Sequence, residues 1–204
     1  EGAVDEYSCE RVWANRFDAI DAGWGGPVLL AHAADSGAAN PSVAINLTGD
    51  AIAVWSAPEG SRKRIRAAWY SPSLARWSDA GIIDADGGEL GDGDFPHAVL
   101  DPLGHATVAW QQKVSERERA WARRFVSDAG WSDGGAIDTT PDASSTTIRI
   151  ALDGLRNTTA VWRTNVESVW AARLAASGKS WGTPVTLEPN VGGIIWTISV
   201  AADK

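Results

Sequence analysis

The sequence predicts an all-β protein built from one four-stranded unit used four times. Three observations carry that prediction. Trp is the dominant aromatic, 12 residues against 3 Phe and 2 Tyr, and its positions fall into register when the chain is cut about every 50–55 residues. The apolar segments are short, rich in Val, Ile, Ala and Trp, and separated by turns rich in Gly, Asp and Ser. No segment holds a helical period between start and stop residues.

Strand one of the unit is typified by Ser42-Val43-Ala44-Ile45. It ends at Asn46, Asp101, Asp153 or Asp203, followed by turns such as Asp101-Pro102-Leu103-Gly104, where Pro presets φ and Gly closes the turn. Strand two carries Ala53-Val54-Trp55, Val108-Ala109-Trp110 or Ala160-Val161-Trp162, with Ala3-Val4-Asp5 in that place at the N-terminus. Its continuous apolar run predicts a strand covered on both faces. After a polar hairpin comes strand three, the block apolar-Trp-Ala-x-Arg-apolar. It reads Val12-Trp13-Ala14-Asn15-Arg16-Phe17, Ala120-Trp121-Ala122-Arg123-Arg124-Phe125 and Val169-Trp170-Ala171-Ala172-Arg173-Leu174. The remaining copy, Ile65-Arg66-Ala67-Ala68-Trp69-Tyr70, has Trp and Arg in exchanged slots. Strand four starts at Trp24, Trp77, Trp131 or Trp181, and in the second unit runs on through Ile82-Ile83.

Four strands at this spacing make a blade of a β-propeller. Joining Ser199-Val200-Ala201-Ala202-Asp203-Lys204 to Glu1-Gly2-Ala3-Val4 gives strand, turn, strand, as in Ser42 to Gly49 and its sequel. The chain therefore reads as one domain, 1–204, of four four-stranded blades. One blade is split across the termini (196–204 plus 1–30) and closed by pairing of 199–203 with 2–7; the others span about 41–84, 96–138 and 147–188. Such closure removes exposed sheet edges.

Composition bounds the partners. With 204 residues, 22% charged and 44% hydrophobic, the chain can bury a core of its own. A net charge of −8 argues against binding the phosphate backbone of nucleic acid or an anionic membrane. Cys9 is the single cysteine, so neither an internal disulfide framework nor a Cys-based zinc site is available. No apolar run approaches the ~18 residues of a membrane span, and no signal peptide is seen.

The repeat resembles the Trp-rich tandem propeller repeats of bacterial secreted and surface proteins. Pro41-Ser42-Val43-Ala44, Ala109-Trp110-Gln111-Gln112, Trp13-Ala14-Asn15-Arg16-Phe17 and Trp181-Gly182 carry the likeness, which covers essentially the whole chain. The turns Ser127-Asp128-Ala129-Gly130-Trp131 and Ser177-Gly178-Lys179-Ser180-Trp181 look like degenerate sialidase Asp boxes without the full spacing. The resemblance implies a propeller in an extracellular or cell-surface setting and leaves the activity open.

Two readings fit the Trp series. One is packing between blades, the usual fate of so large a side chain. The other is sugar recognition, in which an indole stacks on the C–H face of a pyranose and nearby Arg, Asn or Asp bonds its hydroxyls. On the second reading the candidate ligand residues are Trp13, Arg16, Arg66, Trp69, Trp121, Arg124, Trp170 and Arg173, drawn from repeated slots rather than one pocket. Residues three apart on a strand face opposite ways, so the Arg66/Trp69 exchange points to stacking between neighbouring blades.

The loop from Asp84 to Asp94 holds five carboxylates, Asp84, Asp86, Glu89, Asp92 and Asp94; it reads as a Ca²⁺ loop or as a solvated acidic loop. His32, His97 and His105 are scattered, no nucleophile triad or phosphate loop is present, and Tyr7 and Tyr70 are the only tyrosines. Asn46-Leu47-Thr48 and Asn157-Thr158-Thr159 match the glycosylation sequon without fixing a compartment. The sequence thus leads to an expected non-catalytic, carbohydrate-binding module, monomeric or dimeric, with no cofactor and no metal. A sialidase-like glycosidase and a purely structural propeller cut from a longer array are the alternatives.

Overall fold

The computed structural model describes residues 11–19, 22–31, 37–84, 90–139, 143–188, 195 and 197–203. Every regular element among them is a β-strand. The N-terminal pieces, called the first blade below, form two separate two-stranded sheets: β1 (Trp13–Ala14) pairs with β4 (Val28–Leu29), and β2 (Phe17–Asp18) with β3 (Gly23–Trp24). The second blade runs β5 (Ala39–Ile45), β6 (Ala51–Glu59), β7 (Arg62–Ser71), then β8 (Arg76–Trp77) and β9 (Gly81–Ile82), both on β7. The third repeats this with β10 (Leu90–Leu100), β11 (Ala106–Val114), β12 (Arg117–Val126), β13 (Gly130–Trp131) and β14 (Gly135–Ala136). The fourth is β15 (Ser145–Leu152), β16 (Thr158–Thr164), β17 (Val169–Leu174) and β18 (Val185–Glu188). All pairings are antiparallel, and strand order follows the chain within each sheet.

Three expectations change. The fourth strand of the second blade is broken into β8 and β9, not continuous from Trp77 to Ile83. Strand one begins earlier than Ser42 and carries a β-bulge in the second, third and fourth blades. Among the described residues no closed sheet joins the chain ends: residues 2–7 lie outside them, and 199–203 carry no strand. Asp203 instead accepts a hydrogen bond through its carbonyl from the Gly154 N–H at 3.1 Å.

The Asn/Asp landmark has a local cause. Asn46 Oδ1 accepts from the N–H groups of Thr48 and Asp50, both at 3.0 Å. Asp101 Oδ1 does the same for Leu103 and His105 at 2.8 and 2.9 Å, and Asp153 Oδ1 for Leu155 and Asn157 at 3.0 and 2.8 Å. A short carboxylate or amide thus closes each turn from strand one to strand two. Both sequon asparagines belong to these turns. Gly49 and Gly104 take φ of 86° and 78° in the fourth turn position, and Arg156 takes 65° in the same place.

Alternation along the strands builds the blade interfaces. Ile52 and Val54 of β6 face the third blade, in one cluster with Ala98, Leu100, Val108 and Trp110; Ala53, Trp55 and Ala57 face the first blade, with Val12, Leu30 and Ala31. Trp162 packs in the same sense on Ala109, Ala120 and Ala122 of the third blade. Trp55, Trp110 and Trp162 are all 0% exposed. Each strand-two Trp therefore plugs the interface with the preceding blade, where so large an apolar surface contributes most by burial.

Candidate functional site

The paired strands set where each strand-three slot points. Arg66, Trp121 and Trp170 lie directly across from Trp55, Trp110 and Trp162. These slots therefore face the preceding blade. The slots three residues on, Arg16, Trp69, Arg124 and Arg173, face the following one. Trp and Arg of one block do not share a groove.

Between the first and second blades, the Arg16 guanidinium lies over the Tyr70 ring at 4.9 Å and donates to the Gly49 carbonyl at 3.4 Å. Arg66 turns along its own hairpin to an ion pair with Glu59. Between the second and third blades, Trp69 packs on Phe125 at 4.6 Å and on Trp131 at 6.3 Å between centroids. Trp121 packs on the same core. A Cβ on Gly134 would stand 2.8 Å from Trp121 Nε1, so that glycine lets the chain pass close over the indole. Between the third and fourth blades, Arg124 donates to the carbonyls of Ala176 at 2.7 Å and of Ala175 and Gly178 at 3.3 Å. Trp170 donates to Ser168 Oγ at 3.0 Å. Trp13 is 56% exposed, and Arg173 pairs with Asp153 of its own blade at 2.5 Å.

The described carboxylates of the Asp84–Asp94 loop, Asp84, Asp92 and Asp94, are drawn into polar contacts. Asp84 holds Arg64 through both oxygens at 2.8 and 2.9 Å, and burial pushes its carboxyl above the usual range although Arg64 pulls the other way. Asp92 accepts the Lys63 N–H at 2.7 Å. Asp94 accepts from Asn40, Ser56 and Lys63, each at 2.7 Å, tying the third blade to the second. Asp86 and Glu89 lie outside the described residues.

A cleft of about 1020 Å³ lies between the third and fourth blades. Trp131, Ser132 and Asp133 follow the turn on one wall; Lys179, Ser180 and Trp181 follow the turn on the other. His105 and Thr107 line it as well. His105 Nδ1 stands 3.4 Å from the buried Asp101 Oδ2. The aromatic filling of the neighbouring interface is not repeated here, because Leu174 replaces Tyr70 or Phe125 and Arg124 turns to the backbone of 175–178. Of the eight residues singled out from sequence, Arg124 lines this cleft. Trp131 and Trp181 mark the register in the sequence, but their place at the cleft depends on blade packing and has no signal in one repeat alone; the Trp131 ring also packs on Trp69 and Phe125.

No protein-family model and no curated protein sequence matches the chain. Solved structures do. A protein of unknown function from Dyadobacter fermentans superposes with a TM-score of 0.64 at 12% identity, over 89% of this chain and 53% of that one. The BP39L lectin from Burkholderia pseudomallei gives 0.59 at 15% identity, over 82% and 46%. The polysaccharide lyase Uly1 gives 0.53 at 13% identity, over 74% and 42%. The chain spans about half the length of these structures. The expectation of a non-catalytic protein does not stand. The matches include that lyase and a protein from Parabacteroides distasonis assigned as a glycoside hydrolase, at a TM-score of 0.50, 13% identity and coverage of 92% and 61%. A missing sequence motif excludes little in a fold whose functional groups can come from separate blades. The blade sheets and these superpositions together make the chain an all-β protein of the β-propeller type.

Proposed function

We propose that the cleft between the third and fourth blades binds a carbohydrate, with Trp181 as the stacking surface. The observation that carries this reading is one wide cleft with the Trp181 indole on its wall and the hydroxyl, carboxylate and ammonium groups of Ser132, Ser180, Asp133 and Lys179 beside it. That mixture suits a ring with apolar faces and a polar rim. The solved lectin and lyase that share the fold at low identity support a carbohydrate-related role. The reading includes four blades per chain, the split one completed by pairing of 199–203 with 2–7, and the extracellular or cell-surface setting that the resemblance implies.

The test is a glycan array followed by calorimetry on the best hit, with the wild type and Trp181→Ala. The variant should bind at least about tenfold more weakly, equivalent to ~1.4 kcal/mol. No hit among neutral and acidic glycans, or an unchanged affinity in the folded variant, overturns the assignment. Product analysis of the same mixtures reads chain cleavage, since the fold admits catalysis as well as binding.

A further inference from the structure

Three blades share a ring pair that the fourth lacks. The aromatic residue ending the strand-three block meets the strand-four Trp edge-on: Phe17 and Trp24 at 5.6 Å, Tyr70 and Trp77 at 5.5 Å, Phe125 and Trp131 at 5.4 Å between centroids. In the fourth blade Leu174 stands in that place. Trp181 is half-buried against the core of the third and fourth blades, and it lines the cleft together with Leu174. Its indole therefore lacks the ring that covers its counterparts.

The charge of this cleft runs against that of the chain. The protein carries −8 overall, yet Arg124 and Lys179 line the cleft, and Asp133 is the one carboxylate among its described lining residues. Neither cation has a carboxylate partner among the described residues: Arg124 donates to the carbonyls of Ala175, Ala176 and Gly178, and Lys179, two residues before Trp181, is exposed. Elsewhere Lys63, Arg64 and Arg119 pair with Asp94, Asp84 and Asp138 at 2.6–2.8 Å. Arg123 also borders the cleft but turns its guanidinium to the carbonyls of Ser132 and Ile83. Behind the wall, Asp101 is buried with Arg156 at 3.6 Å. A cation bonded only to neutral carbonyls keeps its charge, so the field in the cleft is positive. Resting on the carbohydrate reading, we infer that the cleft selects an acidic glycan. One sugar ring lies on Trp181 over Leu174, and its carboxylate or sulfate lies toward Lys179 and Arg124. The rest of the acidic surface repels such a chain, which disfavours binding elsewhere. About 1020 Å³ has room for more than one ring.

Calorimetry with tetragalacturonate and its methyl ester, and with a sulfated galactan tetrasaccharide and its desulfated form, tests the charge. At least one anionic probe should bind about fivefold tighter than its neutral partner, and the pair that shows it names the anion. Lys179→Gln should lower that ratio about threefold, and Asp133→Asn should raise it about twofold. Leu174→Phe supplies the missing ring and, in the folded variant, should weaken the anionic probe at least about tenfold. Equal affinities within both pairs, or array hits confined to neutral glycans, overturn the inference and leave the carbohydrate reading standing. A ratio that ignores both charge variants overturns it too, because the anion then sits elsewhere. So does undiminished binding by folded Leu174→Phe, which takes the ring off Trp181. No binding of any probe or array glycan overturns the carbohydrate reading itself, and this inference with it.

Discussion

The guanidinium carbon of Arg16 stands 4.9 Å from the centroid of the Tyr70 ring, and Trp69, in the same slot one blade on, stands 4.6 Å from the centroid of Phe125. One slot accepts a cation or an indole because its partner is the flat face of an aromatic ring. The exchange of Arg and Trp in the second repeat is thereby explained as a contact between blades. Trp69→Ala should cost about 3 kcal/mol, and Trp69→Arg about 1 kcal/mol less, because the guanidinium can still cover Phe125. Denaturant midpoints of the two variants check the order; equal losses would remove the ring contact as its cause.

The buried Trp residues differ in their polar ends. Trp110 Nε1 donates to Gln112 Oε1 at 2.9 Å, whereas Trp55 and Trp162 have no partner for Nε1 among the described residues. Replacing Trp110 by Ala should cost about 3–5 kcal/mol. The comparison with Phe is sharper. Trp110→Phe leaves the Gln112 carbonyl without its donor, while Trp162→Phe removes an orphan N–H, so Trp110→Phe should be worse by about 1–2 kcal/mol. Thermal unfolding of the pair reads the difference.

Arg156 holds φ of 65° where the two equivalent turns have Gly. Its guanidinium stands 3.6 Å from Asp101 Oδ2, with a side chain 37% exposed. The strain of a left-handed residue, about 1 kcal/mol, exceeds what so exposed an ion pair contributes. Arg156→Gly should therefore raise stability, by about 0.5 kcal/mol. A lower unfolding midpoint would show that the Asp101 contact outweighs the strain.

Two groups contribute to the acid limb of stability. Burial, then the charge of Arg149, holds His97 below its ordinary value of 6.5. The unfolded chain therefore takes up that proton first, and stability falls as the pH drops below about 6.5. For Asp94, burial pushes the carboxyl up, but hydrogen bonds from Lys63, Ser56, Asn40 and the Phe95 N–H outweigh it and hold the group below its ordinary 3.8. Its contribution is present above that value and is lost as pH falls through the lower folded value. His97→Gln should flatten the loss just below pH 6.5, and Asp94→Asn the loss below about pH 4. Unfolding midpoints measured across pH 3–7 check both; unchanged slopes would assign the acid limb to other groups.

Much of the blade was legible in the sequence, because strands two and three combine an apolar run with a fixed Trp slot. The Asn/Asp marks were equally visible, since their cause lies within five residues. The bulge of strand one was not. It places Asn40, Phe95 and Thr147 at φ of 53°, 53° and 47°, a conformation that Gly would advertise and these residues hide. The site was less legible still. The cleft depends on Leu174 standing where Tyr70 and Phe125 stand in other blades, which gains meaning only once Arg124 is seen turning to the carbonyls of 175–178. The candidate slots recur at fixed places along the chain, yet a single repeat cannot say which neighbour will fill them.

The alternation of β6 and β11 has a bearing on how this sequence can change. Odd and even residues of one strand answer to different blades, so the partner of a substituted residue sits one repeat earlier or later in the chain. A harmful change at Tyr70 is repaired at Arg16, and one at Phe125 at Trp69. Drift in one unit is thus tolerated only in step with its neighbour, and units shuffled or duplicated as independent modules would bring mismatched faces together. The heritable unit of this fold is the seam between two repeats rather than the repeat itself.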